Sequence, residues 1–139
     1  MGHKMIEDVA PTQTWNALGN RPQAQLVDVR TDAEWMFVGL PDLTSVGKQV
    51  IPVSWQTLGG QPNPRFVEQL QAAGLTPEHE IHFICRSGAR SQSAAMAARM
   101  AGFTQVFNVA GGFEGPLDAE GHRGRRAGWK ADGLPWRQN

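Results

Sequence analysis

The sequence predicts an α/β domain with a mainly parallel sheet of about five strands and helices on both faces. Two observations support this fold class. Short apolar runs alternate with segments of helical periodicity, which is the pattern of βαβ units. The 139 residues are also enough for one domain with a buried core. We place the domain at residues 5–139 and expect residues 1–4 to be an added or disordered N-terminus outside it.

The candidate strands are five apolar runs, at 5–9, 25–30, 49–55, 80–85 and 105–110. Pro52 lies within the third run, so we expect that strand near an edge of the sheet. The candidate helices lie between these runs, at 12–18, 34–38, 64–73 and 91–101. Thr31 and Glu34 form a capping box before the second helix. Asn63 and Pro64 suit the N-cap and first position of the third helix.

The charge balance argues against nucleic acid or a membrane surface as a partner. The chain has 13 Lys plus Arg and 13 Asp plus Glu, so its formal net charge is zero. No apolar run approaches the roughly 20 residues of a membrane span, and the start lacks the apolar core of a signal peptide. A single cysteine, Cys85, cannot form an internal disulfide, which fits a reducing compartment. We therefore expect a cytoplasmic location.

The candidate site is the loop after the fourth strand, Cys85-Arg86-Ser87-Gly88-Ala89-Arg90-Ser91. A tight turn from strand to helix points successive backbone N–H groups inward, and Gly88 gives the turn its backbone freedom. The helix, expected to begin near Ser91, adds its positive end. Together with Arg86 and Arg90, these groups favour a reactive thiolate at Cys85. The four histidines show no ligand spacing, so we expect no metal and no cofactor.

Simpler interpretations of this loop stay open. A free cysteine is often a small buried hydrophobic residue that only packs. The strand-to-helix turn and the two arginines favour a nucleophile for Cys85, although Arg86 is equally compatible with a solvated surface role. Asp28 and Arg30 end the second strand, and ligands of parallel sheets bind beyond the carboxyl ends of strands. We therefore expect Asp28, Arg30 and Cys85 at one rim of the sheet.

Four stretches carry a family resemblance: "ICRSGARS" at 84–91, "LVDVRTDAEW" at 26–35, "VFNVAGGFEG" at 106–115 and "GWKADGLPW" at 128–136. In this order they resemble the active-site loop, the Asp-x-Arg segment, the paired glycines and the C-terminal Trp region of the rhodanese family. The members of the family that this chain resembles are single-domain sulfurtransferases. The resemblance extends over most of the chain, roughly from Ile6 to Trp136.

The resemblance implies a two-step sulfur transfer. The thiolate of Cys85 attacks the outer sulfur of thiosulfate or a related anionic donor, sulfite leaves, and Cys85 carries a persulfide. The expected substrate-binding residues are Arg86, Ser87, Gly88, Ala89, Arg90 and Ser91. With no second cysteine in the chain, an external acceptor must take the sulfur, either cyanide, a cellular thiol or a protein. Asp28 and Arg30 would support the loop, although a local pair with the capping box is an equally good interpretation.

Two segments depart from the family pattern. Residues 38–55 have no histidine where the family often has a Gly-His-Ile-Pro-Gly-Ala-like stretch. Residues 116–128 separate the paired glycines from Trp129 and hold His122, Arg123, Arg125 and Arg126. This basic segment is either a lip for an anionic substrate or acceptor protein, or a mobile solvated loop.

Two rival functions are weighed against the transferase. Cysteine phosphatases and arsenate reductases of a related fold place five residues between Cys and Arg, whereas four separate Cys85 from Arg90. The shorter loop encloses a smaller space, which suits one sulfur better than a tetrahedral oxyanion. The other rival is a rhodanese-like module that binds partners or carries a persulfide with little turnover, and it would keep the same cysteine.

Overall fold

A computed structural model describes residues 6–138. The strands of its central parallel sheet are β1 (Glu7–Val9), β2 (Ala24–Asp28), β4 (Ile51–Pro52), β5 (Glu80–Ile84) and β6 (Val106–Val109), in the order β1-β6-β5-β2-β4. A separate antiparallel ribbon pairs β3 (Leu40–Pro41) with β7 (Trp136–Arg137). The helices are α1 (Pro11–Asn20), α2 (Asp32–Phe37), α3 (Phe66–Ala72) and α4 (Ala89–Met100), with a 3-10 turn at Thr44–Val46. The predicted fold class is confirmed.

Two apolar clusters lie on opposite sides of the sheet because successive side chains of a strand alternate in direction. On β2, Val27 belongs to one cluster and Leu26 to the other. The first cluster packs the sheet against α3 and α4, where the small side chains of Ala94 and Ala98 are fully buried. The second cluster is covered by α1 and by Trp129, which is also fully buried.

Most element boundaries agree with the sequence to within one or two residues, and the following differences bear on the fold and the site. The third apolar run forms a strand only at Ile51–Pro52, at the predicted edge of the sheet. The third helix does not begin at Pro64, because the side chain of Asn63 accepts the backbone N–H of Arg65 (3.0 Å) and closes a turn before the helix. The fourth helix begins at Ala89 and not near Ser91, with Gly88 as its N-cap.

The N-terminal strand is shorter than expected within the described residues, since β1 begins at Glu7. The expected first residue of that strand and the expected N-terminal extension, residues 1–5, lie outside the described part of the chain. Among residues 6–138, no helix is long and apolar enough to cross a membrane.

Candidate active site

Cys85 directly follows β5, a strand with neighbours on both sides, and is 1% exposed. Its Sγ atom lies 3.1 Å from the backbone N–H of Gly88 and 3.1 Å from the hydroxyl of Ser91. Both groups belong to the start of α4, where the first N–H groups of a helix have no partner within the helix. The sulfur therefore lies against hydrogen-bond donors that stabilise negative charge.

The turn depends on a glycine at its helical end. Gly88 has φ of +118°, a conformation that residues with a Cβ rarely adopt. This conformation lets the chain reverse within three residues and directs the Gly88 N–H back to the sulfur. Because α4 starts two residues earlier than expected, Ser91 lies in its first turn, with its hydroxyl directed at Cys85.

The segment after β6 clamps the loop from outside. The N–H of Phe113 donates to the carbonyl of Cys85 (2.7 Å), and the N–H groups of Glu114 and Gly115 both lie 3.0 Å from the carbonyl of Arg86. A Cβ atom on Gly112 would lie 2.5 Å from the Cys85 carbonyl oxygen. The paired glycines of the sequence are thus explained by a close approach of two backbones, and at Gly112 there is no room for a side chain.

Arg90 is bound to the capping box of α2. Its guanidinium donates two hydrogen bonds to the carboxylate of Glu34, at 2.7 and 2.9 Å, and Glu34 also closes the predicted capping box with Thr31. Burial alone would raise the pKa of Glu34, but the hydrogen bonds and charge of Arg90, together with Thr31, lower it to about 2. The hydrogen bond with Glu34 raises the pKa of Arg90. This pair joins α2 to the Cys85 loop, a contact that sequence analysis missed.

Asp28 and Arg30 form a fully buried ion pair with a distance of 2.7 Å. Arg30 also donates to the carbonyl of Gly39 (2.7 Å), and its guanidinium lies 4.3 Å from the ring centre of Phe113. Phe113 in turn holds the carbonyl of Cys85. The contacts of this pair run to Gly39 and Phe113, while the capping-box residue Glu34 pairs with Arg90. The supporting role of Asp28 and Arg30 for the loop stays a prediction.

A pocket of about 470 Å³ opens beside the loop; it is lined by Glu34, Val38, Gln56, Arg86, Arg90, Glu114 and Arg123. The basic segment contributes Arg123, which also donates to the carbonyl of Gly115 (2.8 Å). Arg125 instead faces Asp118 at 3.6 Å, and Arg126 reaches the carbonyl of Leu117. A larger cavity of about 640 Å³ borders the edge strand β4, away from the loop, so size alone does not mark the site.

Sequence analysis also missed Asn108. It is 4% exposed on β6 and contacts Ser91, Gly88 and Gln92 around the Cys85 loop. The available signal was a polar side chain inside the otherwise apolar run "VFNVA". A buried polar group of this kind needs hydrogen-bond partners, and here these partners belong to the site.

The parallel sheet and the cysteine loop at its carboxyl edge define a rhodanese-like domain. Residues 7–139 match the family model described as the STR4 middle domain, and the chain belongs to this family.

The chain is similar to two curated proteins of different size. It is 35% identical to Uncharacterized protein RC0915 of Rickettsia conorii, over 94% of this chain and 97% of that protein. It is 26% identical to Rhodanese-like domain-containing protein 4, chloroplastic, of Arabidopsis thaliana, over 88% of this chain but 24% of that protein. The similarity to the plant protein therefore concerns a domain within a longer chain.

Two solved structures share the fold. The crystal structure of Rv0390 from M. tuberculosis has a TM-score of 0.88 at 49% identity and covers 98% of this chain and 100% of that one. A polysulfide-sulfur transferase homodimer from Wolinella succinogenes has a TM-score of 0.68 at 24% identity, over 96% of this chain and 80% of that one. At 24% identity the second structure shows the shared fold.

Proposed function

We propose that the protein is a sulfurtransferase that moves sulfane sulfur from a small anionic donor, through a persulfide on Cys85, to an external acceptor. The observation that carries this proposal is the position of the Cys85 sulfur. It lies at the start of α4 with hydrogen-bond donors from Gly88 and Ser91. Such donors favour the nucleophilic thiolate that starts the loading step and the thiolate that unloading leaves on the same atom.

In the first step, the thiolate of Cys85 attacks the outer sulfur of thiosulfate or a related donor. A new S–S bond forms, the bond between the two donor sulfurs breaks, and its electron pair leaves with sulfite. No oxidant or reductant is needed because the sulfane sulfur changes partners without a net change in electron count. Covalent catalysis of this kind predicts ping-pong kinetics.

The arginines beside the loop would orient the sulfonate of the donor. Arg86 and Arg123 line the same pocket, and their guanidinium groups suit charge-assisted hydrogen bonds to sulfonate oxygens. Arg90 lines the pocket with its guanidinium bound to Glu34, so the carboxylate offsets part of its charge. We therefore expect Arg90 mainly to stabilise the wall of the pocket and to bind the donor more weakly than Arg86 and Arg123 do.

In the second step, an external nucleophile takes the outer sulfur of the persulfide and leaves Cys85 as a thiolate. Cyanide would give thiocyanate, and a thiol acceptor would carry the sulfur away as its own persulfide. The acceptor is external because the chain contains no other cysteine. The partners of the protein would be a small anionic donor and a thiol or protein acceptor.

A second candidate is a persulfide carrier with a dedicated protein acceptor and little turnover to small acceptors. The burial of Cys85, which is 1% exposed, is compatible with both candidates, because either kind of acceptor has to reach the same sulfur. The two candidates share the loading step and differ in the unloading step.

Intact mass spectrometry after incubation with thiosulfate tests the loading step. We expect a gain of one sulfur atom, which dithiothreitol removes, and no gain in the Cys85→Ser variant. Rapid loss of the adduct to cyanide would identify an enzyme, whereas a loaded protein that cyanide hardly unloads would identify a carrier. If no adduct forms with thiosulfate or polysulfide and the protein hydrolyses an aryl phosphate, the sulfurtransferase proposal is wrong.

A further inference from the structure

Asn108 contacts the Cys85 loop through both ends of its side-chain amide. Its Nδ2 atom lies 2.9 Å from a carboxylate oxygen of Asp8 and 3.2 Å from the carbonyl oxygen of Gly88. Both partners are acceptors only, so the NH₂ end of the amide must face them. The carbonyl oxygen of Asn108 therefore faces the hydroxyl of Ser91, with which it forms a short hydrogen bond.

Ser91 has more acceptors around it than it has hydrogens. Its hydroxyl lies close to the Asn108 carbonyl oxygen, 3.1 Å from the Cys85 sulfur and 3.2 Å from the Gly88 carbonyl. A hydroxyl carries one hydrogen, so it donates to one of these groups at a time. Ser91 is 0% exposed and Asn108 is 4% exposed, so bulk water does not reach these side chains to donate a hydrogen bond in place of Ser91.

We propose that Asn108 is a positioning residue that acts through Ser91 to set the balance between the thiol and thiolate forms of Cys85. With a thiol, the S–H donates to the Ser91 oxygen and Ser91 donates to Asn108, so each group has a partner. With a thiolate, whose proton has passed to solvent, the Ser91 hydroxyl turns to the sulfur. The Asn108 carbonyl oxygen then faces another oxygen without a hydrogen between them, which is costly for a buried acceptor.

This inference rests on the proposed function only in taking Cys85 as the reacting group. In a persulfide the negative charge lies mainly on the outer sulfur, so Ser91 is released from Sγ and returns to Asn108. Asn108 thus opposes the free thiolate more than the loaded form. The hydrogen bond from Ser91 to the charged sulfur is lost as the sulfur attacks the donor. A thiolate with a weaker hydrogen bond from Ser91 is therefore a better nucleophile than one with a stronger hydrogen bond.

Several charged side chains lie on the elements around Cys85: Asp8 on β1, Asp28 and Arg30 at the end of β2, Glu34 on α2, Arg86 and Arg90 in the loop region, and Glu114 and Arg123 across the pocket. A change at Asn108 leaves every one of these charges in place. Asn108 variants also lose the amide donor to Asp8 and Gly88, so the Ser91 hydrogen bond is isolated only by comparing them with and without the Ser91 hydroxyl.

The chain is well suited to a direct titration, because it contains one cysteine and no tyrosine. Ultraviolet absorbance of the thiolate thus reports Cys85 without a tyrosinate background, with Cys85→Ser as the blank. We expect Asn108→Leu, which is close in size, to lower the pH midpoint by about one unit, since Ser91 can then donate to the sulfur permanently. We expect Ser91→Ala to raise the midpoint.

The double variant gives the decisive comparison. In the Ser91→Ala background, Asn108→Leu should leave the midpoint unchanged, because the group through which it acts is gone. Gln92→Ala is the matched control: Gln92 also bonds the Asn108 NH₂ group (3.1 Å) but does not contact its carbonyl oxygen. Its midpoint should equal that of the wild type. An unchanged or raised midpoint in Asn108→Leu, or an equal shift with and without Ser91, overturns the proposal.

NMR of the wild-type protein provides a test that does not depend on the folding of Asn108→Leu. The side-chain ¹³Cγ resonance of Asn108 should titrate with the same midpoint as the thiolate absorbance, because its carbonyl loses a hydrogen bond on ionisation. The resonance should not respond at that pH in Ser91→Ala. A flat wild-type resonance across the Cys85 midpoint would contradict the proposal. Neither readout uses a sulfur donor, so a failure here is distinguishable from a failure of the transferase proposal.

Discussion

Two polar clusters lie at β5, one on the strand and one just beyond its carboxyl end, and they differ in how completely their hydrogen bonds are satisfied. In the amino-terminal half of the strand, His82 bonds the hydroxyl of Thr14 (2.8 Å) and the carboxylate of Glu80 (2.6 Å). Glu80 in turn accepts hydrogen bonds from Nε and Nη2 of Arg21. At the carboxyl end, Cys85 shares the single hydrogen of Ser91 with other acceptors.

The first cluster has one consistent assignment. A neutral His82 with its proton on Nε2 donates to Glu80 and accepts the Thr14 hydroxyl, so each group has a partner. Burial lowers the pKa of His82 and outweighs the opposing effect of Glu80, which favours this neutral form. The second cluster has two assignments that depend on the charge of Cys85. The two clusters at β5 thus combine a fixed structural network with one that responds to chemistry.

The largest expected effect tests the backbone clamp on the reactive cluster. Gly112→Ala would place a Cβ 2.5 Å from the Cys85 carbonyl oxygen, where the neighbouring atoms are backbone and cannot rotate away. We expect a loss of roughly 3 kcal/mol or more in the free energy of unfolding, from strain at positive φ and from overpacking. Sulfur loading in the mass-spectrometric assay should fall below detection even where the variant is folded.

Gly121→Ala is the matched control for this change. Gly121 has a similar positive φ of +79°, but an added Cβ would meet no atom of residues 6–138 within 4 Å. We expect a loss of about 1 kcal/mol from the backbone alone and unchanged sulfur loading. Equal losses of stability and of loading in the two variants would show that the close approach to Cys85 is unimportant.

The next prediction concerns the satisfied cluster. Thr14→Val keeps the shape of the side chain but leaves the Nδ1 atom of His82 without its partner. We expect the free energy of unfolding in urea to fall by about 1–3 kcal/mol, the cost of an unpaired buried acceptor. Thr12→Val, on the exposed side of α1, should change stability by less than about 0.5 kcal/mol. Neither variant should move the Cys85 titration, and a shift in Thr14→Val would show that the clusters are coupled.

The sequence predicted the parts of this comparison that depend on local pattern. The alternation of apolar runs and helical segments is enough to predict the α/β class. Thr31 is also correctly predicted as the N-cap of α2. Cys85 was singled out as the site because a strand, a turn and a helix follow each other within a few residues. Such features are encoded by neighbours in the chain, so hydrophobic periodicity and turn chemistry reveal them.

The contacts of the first cluster, and the ion pair beside the second, come from distant parts of the chain. Glu34 and Arg90 are 56 positions apart, and Thr14 and His82 are 68 apart. Their meeting depends on strand order and register, which local pattern does not determine. Glu34 was assigned to the capping box alone because nothing near it in sequence indicated a second partner. Pro64 failed as a helix start for a related reason: the Asn63 side chain closes a turn with the Arg65 N–H instead of capping a helix at once.

The next prediction concerns the pH dependence of the free energy of unfolding. We expect the cluster around His82 to lose its stabilising contribution at acid pH. The pKa of His82 is lowered in the folded protein, so the unfolded chain takes up its proton first. Stability is therefore expected to decline as pH falls below about 6.5, by at most about 1.4 kcal/mol per pH unit from this group. The pKa of Glu80 is also lowered, chiefly by Arg21, and its contribution is lost at lower pH, below about 4.3.

His82→Gln is the comparison that isolates this effect, because the variant retains the other three histidines. Its urea unfolding curves between pH 7 and pH 5 should show a shallower decline than those of the wild type. Parallel curves would mean that His82 binds its proton equally well in the folded and unfolded states.

The smallest expected effect lies at the pocket beside the reactive cluster. Arg123 and Arg125 both belong to the basic segment, but Arg123 lines the pocket and Arg125 faces Asp118. Arg123→Gln should raise the KM for thiosulfate by about two- to fivefold, the size of a partly exposed ionic contact, with little change in kcat. Arg125→Gln removes the same charge two residues away and should leave KM unchanged. Similar KM changes in both variants would indicate a general electrostatic attraction, and raised salt would then abolish the difference from the wild type.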